Sequence, residues 1–296
     1  MILSKKKYQE NHSNLRIYDW MVGKFDALPS RKSVKKALDK GRVQVNGKTV
    51  NTAYFLQKGD LVVLMEDIVK APKPYRMEVE ILYEDDYLIA INKPSGLVVS
   101  GNQFKTAYNV IAYNASPSLQ PDQLVAPLPV HRIDQPTSGV LLAAKTKTAR
   151  IRMGELFEQR LMTKTYHAIV VGAIPESGKL EQEVDGKQAE TSFKKLATSP
   201  SLKFENLSLV ELKPKTGRKH QLRKQLFEIG HPILGDQLYY IDDKKLNHKG
   251  LFLHASQLSF VHPITKTPLE INAPLPKKYK KRLDSESKRY YFAMQA

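Results

Sequence analysis

Apolar and polar positions alternate in short blocks along most of this chain, a pattern that predicts many short strands and a few amphipathic helices. The predicted strands lie at residues 80–83, 87–92, 140–144 and 164–171. Apolar residues at helical spacing predict two helices, at residues 148–160 and 219–229. Strands and helices mix without the regular β-α-β alternation of a parallel sheet, which indicates an α+β protein.

The first part of the chain has the pattern of a short basic helix followed by a β-hairpin. Ser30 caps a helix that begins at Arg31 and ends before Gly41. Asn46-Gly47 then forms a hairpin turn between two short apolar segments. The helix turns three apolar residues toward a core and four cations away from it: Val34, Ala37 and Leu38 against Arg31, Lys32, Lys35 and Lys36. Taken alone, these cations fit a phosphate-binding face and an ordinary solvated face equally well.

The clearest break in the chain is Lys-Ala-Pro-Lys-Pro at residues 70–74, because two prolines disfavour a helix on either side. This break predicts a small module at residues 1–70, a linker at 71–77 and a larger domain at 78–296. The larger domain ends in a basic tail around residues 277–282, which is either solvated or a phosphate-binding arm.

Composition narrows the kinds of partner and chemistry. The chain has 296 residues, with 47 Lys and Arg against 30 Asp and Glu, so its formal net charge is +17. A chain this basic is expected to bind a polyanion, nucleic acid before an anionic membrane surface. The absence of Cys excludes disulfides, thiolate zinc sites and cysteine nucleophiles. No dinucleotide-binding or zinc-protease motif occurs, so neither a cofactor nor a metal is expected.

Membrane insertion and secretion are not expected either. The apolar runs are far shorter than the ~20 residues of a membrane-spanning helix, and the first residues have no apolar core of signal-peptide type. The sequence therefore predicts a cytoplasmic protein.

Asp134 is the strongest candidate for a chemically active residue. It lies two residues after Arg132 and just before the Thr-Ser-Gly at residues 137–139 that leads into the apolar strand at 140–144. In an extended segment, residues two apart point to the same side, so both side chains would face one cleft. The alternative is a surface ion pair between them, worth under about 1 kcal/mol.

Several further segments accompany Asp134 in a fixed order. They are residues 92–96, 131–139, 164–166, 216–223, 230–236, 253–255 and 262–263. Together they resemble the RluA-type family of RNA pseudouridine synthases over about residues 78–276, and residues 16–64 resemble an S4 RNA-binding domain. The resemblance implies a small α+β S4 module followed by a catalytic domain with a mixed, mainly antiparallel sheet flanked by helices and loops.

The chemistry that this resemblance implies is the isomerisation of uridine to pseudouridine without a cofactor or metal. The C1′–N1 glycosidic bond breaks, the base turns, and it rejoins the ribose through C5. Asp134 matches the family's essential carboxylate and would act as an anion, either as nucleophile or as general base. Arg223 matches its basic partner, and Tyr166 matches the tyrosine that stacks on the base. Arg132 matches the residue that replaces or grips the flipped-out nucleotide.

Other residues are predicted to contact RNA. In the larger domain they are Lys93, His131, Lys219 and His220. Lys219 and His220 open the helix that carries Arg223. His131 is interpreted as a structural residue rather than as a general base. Gln225 departs from the family pattern, which leaves the substrate in question because its helix is expected to line the RNA cleft. In the module they are Arg31, Lys32, Lys35, Lys36 and Arg42.

The expected partner is large-subunit ribosomal RNA of the 23S type or its precursor. Transfer RNA is the alternative within the family, and a non-catalytic RNA-binding or ribosome-assembly protein is the alternative of a different class. A monomer is the expected oligomeric state.

Overall fold

The chain forms two compact units, Met1–Lys70 and Ala71–Ala296. Their structure comes from a computed structural model that describes residues 2–10, 14–66, 71–241 and 250–295. Among these residues, no helix combines the length and the apolar character needed to cross a membrane.

The first unit is a four-stranded antiparallel sheet with two short helices, and the predicted basic helix and hairpin are confirmed. Ser30 caps α2 by accepting a hydrogen bond from the Ser33 amide, and the Ser33 side chain bonds back to the Ser30 amide. Asn46 and Gly47 have positive φ angles, as this hairpin turn requires. The sheet order is β1-β4-β2-β3. The elements are β1 (Ile2–Lys7), α1 (Ile17–Trp20), α2 (Arg31–Asp39), β2 (Val43–Val45), β3 (Lys48–Thr49) and β4 (Leu61–Met65).

The second unit is built on one large sheet, and its helices and loops flank that sheet. Its strands are β5 (Ile81–Glu84), β6 (Leu88–Lys93), β7 (Gln123–Pro129), β8 (Ser138–Thr146), β9 (Thr163–Val171), β10 (Ser177–Leu180), β11 (Thr191–Ser201), β12 (Glu205–Pro214), β13 (Leu253–Val261) and β14 (Pro268–Asn272). Its helices are α3 (Ala107–Asn114), α4 (Lys147–Glu158), α5 (Gln221–Glu228) and α6 (Lys278–Gln295).

The sheet order is β10-β11-β12-β9-β13-β8-β6-β5, with β7 and β14 pairing at the side. Only β8 and β13 pair in parallel among the described strands, so the mixed, mainly antiparallel α+β fold is confirmed. Every residue of β8 is buried. Val140, Leu142 and Ala144 face one apolar cluster, and Leu141 and Ala143 face another. This two-sided burial explains the uninterrupted apolar run in the sequence.

The second half of the segment predicted as a linker packs against the second unit. Residues 71–77 form no helix or strand. The Tyr75 amide donates to the Asn109 carbonyl at 2.9 Å, and Tyr75 and Met77 pack against the apolar cluster that contains Ile89 and Ile91. The second half of the predicted linker is therefore part of the packed domain.

Residues 278–282 of the basic segment near the C-terminus form the start of the 18-residue helix α6. Tyr279 is fully buried and Glu286 nearly so. Glu286 pairs with Arg282 at 2.9 Å and accepts a hydrogen bond from the Ser201 hydroxyl on β11. The polar helix α6 therefore packs on the domain through a few separated side chains, and most of its lysines are exposed to solvent.

The parallel contact between β8 and β13 lies next to the strand end where Asp134 is found. Gly139 has φ +111°, and a Cβ built there would lie 2.1 Å from the Ala255 carbonyl oxygen. Beside it, the Ser138 hydroxyl bonds to His254 Nδ1 at 2.8 Å. Burial lowers the pKa of His254 to about 4, so the ring is neutral. Its Nε2 faces the Ala273 carbonyl at 3.4 Å, which can only accept, so Nε2 carries the proton and Nδ1 accepts from Ser138. His254 is thus a hydrogen-bonding partner between β8 and β13.

We expect Gly139→Ala to lower the free energy of unfolding by about 3 kcal/mol, because alanine would be strained at this φ and would overlap the β13 backbone. Gly154→Ala is the matched control: Gly154 lies in α4 with open space around it, so alanine should stabilise by about 0.5–1 kcal/mol. Calorimetric unfolding of both variants measures the difference. Equal stability of the two variants would contradict the close approach of the strands.

Candidate active site

Two cavities meet at the turn that carries Asp134. One has a volume of about 800 Å³ and extends toward Ser100 and Leu238. The other has a volume of about 520 Å³ and extends toward Tyr166. Both cavities are lined by Arg132, Asp134, His220 and Arg223, among other residues. The structure thus brings the predicted residues 132, 134, 166 and 223 to one place, as the sequence motifs require.

The turn after Asp134 is held by the last residue of β6 and by the segment that follows it. Lys93 is fully buried, and its Nζ donates to the carbonyl oxygens of Pro94, Leu97 and Gln135 at 3.0, 2.8 and 3.2 Å. The Ser95 hydroxyl donates to the Pro136 carbonyl at 2.7 Å. These bonds fix the backbone on both sides of the turn.

The prediction that Lys93 contacts RNA is therefore wrong. A fully buried ammonium group with three carbonyl acceptors has no access to a phosphate. Burial lowers the pKa of Lys93 to about 8, and the negative charge of Asp134 opposes that change. Lys93 acts on the site by positioning the turn that presents Asp134.

Arg223 reaches Asp134 from α5, but its principal partner is a second carboxylate. Its Nε and Nη2 donate to the two carboxylate oxygens of Asp236 at 2.6 and 2.7 Å. Its Nη1 lies 3.4 Å from Asp134 Oδ2. Burial opposes the charge of Arg223, yet the hydrogen bonds and charges of Asp236 and Asp134 outweigh burial and raise its pKa.

Asp236 is the site residue that sequence reasoning missed. Its side chain is fully buried, and Oδ1 also accepts from the amides of Leu238 and Tyr239 at 2.9 and 3.2 Å. The Arg223 guanidinium also lies 5.1 Å from the centre of the Tyr239 ring. Asp236 ends one of the recognised motifs, and that position was the only signal available for it in the sequence.

His220 lies beside Asp134 in an unusual backbone conformation. Its φ is +56°, and it is the N-cap of α5, which begins at Gln221, so the helix starts two residues after the predicted start at Lys219. His220 Nδ1 is bonded to the Tyr239 hydroxyl at 3.0 Å, and Nε2 lies 3.9 Å from Asp134 Oδ2. Burial lowers the pKa of His220, and Asp134 opposes that change. Lys219 is exposed at the rim of the Tyr166 cavity.

Tyr166 and His131 line the same cavity from β9 and from the segment before Asp134. Burial and the charge of Asp134 raise the pKa of Tyr166 well above its usual range, so the phenol is protonated. His131 Nε2 accepts from the Leu142 amide at 2.9 Å, and its ring stacks on Phe157. Burial lowers the pKa of His131 to about 4. A neutral ring in this contact supports the structural interpretation of His131.

Gln225 does not line the cleft, so the expectation that it bears on the substrate is wrong. It is fully buried. Its amide nitrogen donates to the carbonyls of Leu180, Gln182 and Ala189, and its oxygen accepts from Thr191. Gln225 therefore ties α5 to the neighbouring strands on the face away from Asp134.

Comparison with known families agrees with this site. The family model described as RNA pseudouridylate synthase matches residues 87–228, which include Asp134, Tyr166 and Arg223. The S4 domain model matches residues 27–62, which include α2 and the hairpin. Both resemblances inferred from the sequence are thereby confirmed.

Relatives extend the match to nearly the whole chain. Ribosomal large subunit pseudouridine synthase C of Vibrio vulnificus is 35% identical and covers 93% of this chain and 94% of its own. The tRNA pseudouridine synthase C of Vibrio parahaemolyticus is 36% identical and covers 67% of this chain and 91% of its own. The chain belongs to the RNA pseudouridine synthases, the isomerases that convert uridine in RNA to pseudouridine.

A solved structure agrees with the fold of the second unit. Human RNA Pseudouridylate Synthase Domain Containing 4 superposes with a TM-score of 0.55 at 28% identity, over 69% of this chain and 92% of its own.

We expect Asp236→Asn to lower kcat at least about tenfold, with a smaller change in KM. Asparagine has no charge and only one acceptor oxygen, so it cannot accept hydrogen bonds from both Arg223 nitrogens in the same way. The measurement is pseudouridine formed over time in saturating, unmodified RNA. Lys224→Met on the same helix, where Lys224 pairs with the exposed Asp185, should leave kcat unchanged. A folded Asp236→Asn enzyme with normal kcat would contradict this role.

Proposed function

We propose that this enzyme isomerises uridine in large-subunit ribosomal RNA and that Asp134 is its catalytic group. The observation that carries this proposal is the convergence of Asp134, Arg223 and Tyr166 on one cavity. All three side chains come from one chain, so a monomer suffices for the reaction.

In this proposal the three residues have distinct tasks, each supported by its position in the cavity. The uridine enters the Tyr166 cavity, where the half-buried ring stacks on the base. Asp134 then acts in one of two ways: it attacks C1′ while the C1′–N1 bond breaks and its electron pair leaves with the uracil, or it acts as a general base. Arg223 Nη1 lies 3.4 Å from Asp134 Oδ2 and orients the carboxylate. The protonated phenol of Tyr166 favours stacking over a role as general base in the free enzyme. Asp236 and Lys93 position Arg223 and the Asp134 turn.

Arg132 is placed to assist base flipping. Its side chain is exposed and lines both cavities at their meeting point. An extruded uridine in the Tyr166 cavity leaves a gap in the RNA stack, and filling that gap offsets part of the few kcal/mol that unstacking costs. In the described part of the chain, the ion-pair partners of Asp134 are Arg223 and His220 and not Arg132, which leaves the Arg132 guanidinium available to RNA.

Ribosomal RNA is favoured over transfer RNA by the extent of the matches. The relative named for the ribosomal large subunit matches 93% of this chain, a length that must include most of the first unit. The relative named for transfer RNA matches 67%, which is less than the length of the second unit. The S4 unit thus accompanies the ribosomal relative.

The S4 unit supplies an exposed cationic face for docking RNA. Lys32, Lys35 and Lys36 on α2 are exposed, while Val34, Ala37 and Leu38 face the core. Arg31 is exposed but pairs with Asp19 at 3.2 Å. Arg42 is half-buried and its Nε donates to the Met65 carbonyl at 3.0 Å, so it has fewer donors left for phosphate.

We expect Asp134→Asn to abolish pseudouridine formation and to leave RNA binding nearly unchanged, because the amide keeps the shape of the carboxylate but cannot act as nucleophile or base. Asp185→Asn, which changes an exposed aspartate away from Asp134, is the matched control and should retain activity. Carbodiimide labelling with primer extension, in cells with and without the gene, maps the modified uridine. If no site disappears from any RNA, the proposal fails; if sites disappear only from transfer RNA, its target is wrong.

We expect the triple change Lys32→Glu, Lys35→Glu and Lys36→Glu to raise KM for RNA and weaken its salt dependence while kcat stays near normal, because these residues would contact phosphates. The triple change to arginine keeps the charge and is the control. Steady-state kinetics at several salt concentrations give both constants. An equal fall in kcat at saturating RNA would count against a docking role.

A further inference from the structure

A third cavity of about 340 Å³ opens beside the Tyr166 cavity and shares Phe157, Lys164 and Arg218 with it. Cations dominate its charged lining. The lining contains one carboxylate, the exposed Glu158, and four cations: Lys164, Arg160, Arg218 and Lys215. The first three of these cations form what we call the 160/164/218 cluster. Lys215 is set apart because it pairs with Glu190 at 2.5 Å.

Lys164 is the member nearest to the proposed chemistry. It lies two residues before Tyr166 on β9, so both side chains leave the same face of the strand, roughly 7 Å apart along it. Its Nζ donates to the Thr216 carbonyl at 3.2 Å. Burial lowers the pKa of Lys164, and the positive charge of Arg160 lowers it further. A half-buried ammonium group next to a second cation gains from binding an anion.

Arg160 occupies a backbone position that usually favours glycine. Its φ is +58°, at the turn that ends α4. The amides of Arg160 and Leu161 donate to the carbonyls of Phe157 and Leu156 at 3.3 and 2.9 Å, which is the pattern of a glycine-terminated helix end. An arginine there brings a charge to the cavity at some cost in backbone strain.

Arg218 completes the cluster from the segment before α5. Its Nε donates to the Gln188 carbonyl at 3.2 Å, which orients the guanidinium. Guanidinium groups bind phosphate oxygens in pairs, and a lysine beside them adds a point charge.

We propose that the 160/164/218 cluster binds the backbone phosphate adjacent to the uridine that occupies the Tyr166 cavity. The inference rests on the proposed function, since that function places the uridine in the Tyr166 cavity, next to the third cavity. RNA is the ligand that offers a base for Tyr166 and an anion at the next position along the chain. Binding that phosphate would hold the nucleotide in its flipped-out position.

The test uses the full chain and a seven-nucleotide single-stranded RNA with one central uridine. Three further versions carry a single neutral methylphosphonate: 5′ of the uridine, 3′ of it, or at a terminal linkage. Affinities are measured by fluorescence anisotropy. We expect one flanking substitution to weaken binding about tenfold, as loss of a hydrogen-bonded charge pair would, and the terminal substitution to have a smaller effect.

The variants are chosen to remove charge with little risk to folding. Lys164→Met keeps the apolar stem, and Arg160→Asn should fold at least as well because asparagine tolerates positive φ. In either variant the sensitive methylphosphonate should no longer weaken binding, because its partner is gone. Lys164→Arg should restore the sensitivity. Lys213→Met changes an exposed lysine that pairs with Glu211 outside this cavity and should behave like the wild type.

Equal affinity for the two flanking versions and the terminal version would overturn the phosphate site, as would a linkage preference that survives in Lys164→Met and Arg160→Asn. These results are separable from failure of the proposed function. Linkage-selective binding with no pseudouridine in any cellular RNA would contradict the proposed function alone. Pseudouridine formation with no linkage preference would contradict the phosphate site alone.

Discussion

The buried pair between Arg223 and Asp236 is the interaction on which the site depends. A guanidinium that is 4% exposed needs a carboxylate to offset its desolvation. Asp236 provides this charge and accepts two short hydrogen bonds from Arg223. Asp134 lies near only the remaining nitrogen, with Arg223 Nη1 3.4 Å from its Oδ2. The charge of Arg223 is therefore largely neutralised before Asp134 is counted. Asp134 is oriented by a cation without being fully neutralised by it, which suits the reactive role proposed for this carboxylate.

The second support of the site acts on the backbone. Lys93 donates three hydrogen bonds to carbonyl groups of two loops, and one of these loops carries Asp134. The glycine and histidine at the β8–β13 contact then fix the strand that follows the turn. Several motif residues that look available for RNA in the sequence are thus internal supports of the fold.

The sequence predicts β8, β9, α2 and α4 well because their apolar spacing reflects burial on one or two faces. It also predicts Asp134, Tyr166 and Arg223, because their motifs match a family. It does not predict the burial of Lys93 or the pairing of Arg223 with Asp236, since both depend on which loops meet in three dimensions. Helix α6 is missed because only Tyr279 and a few other positions bury. The start of α5 is misplaced because the positive φ of His220 leaves no trace in residue type.

The two cavities on either side of Asp134 also constrain how a polymer reaches it. Exposed side chains lie where they meet: Arg132 lines both cavities and Gln135 lines the larger one. Under the proposed function, an RNA strand would cross the turn from the side, with nucleotides continuing in both directions. Such a substrate needs no free 5′ or 3′ end, so the target uridine would lie within the RNA chain.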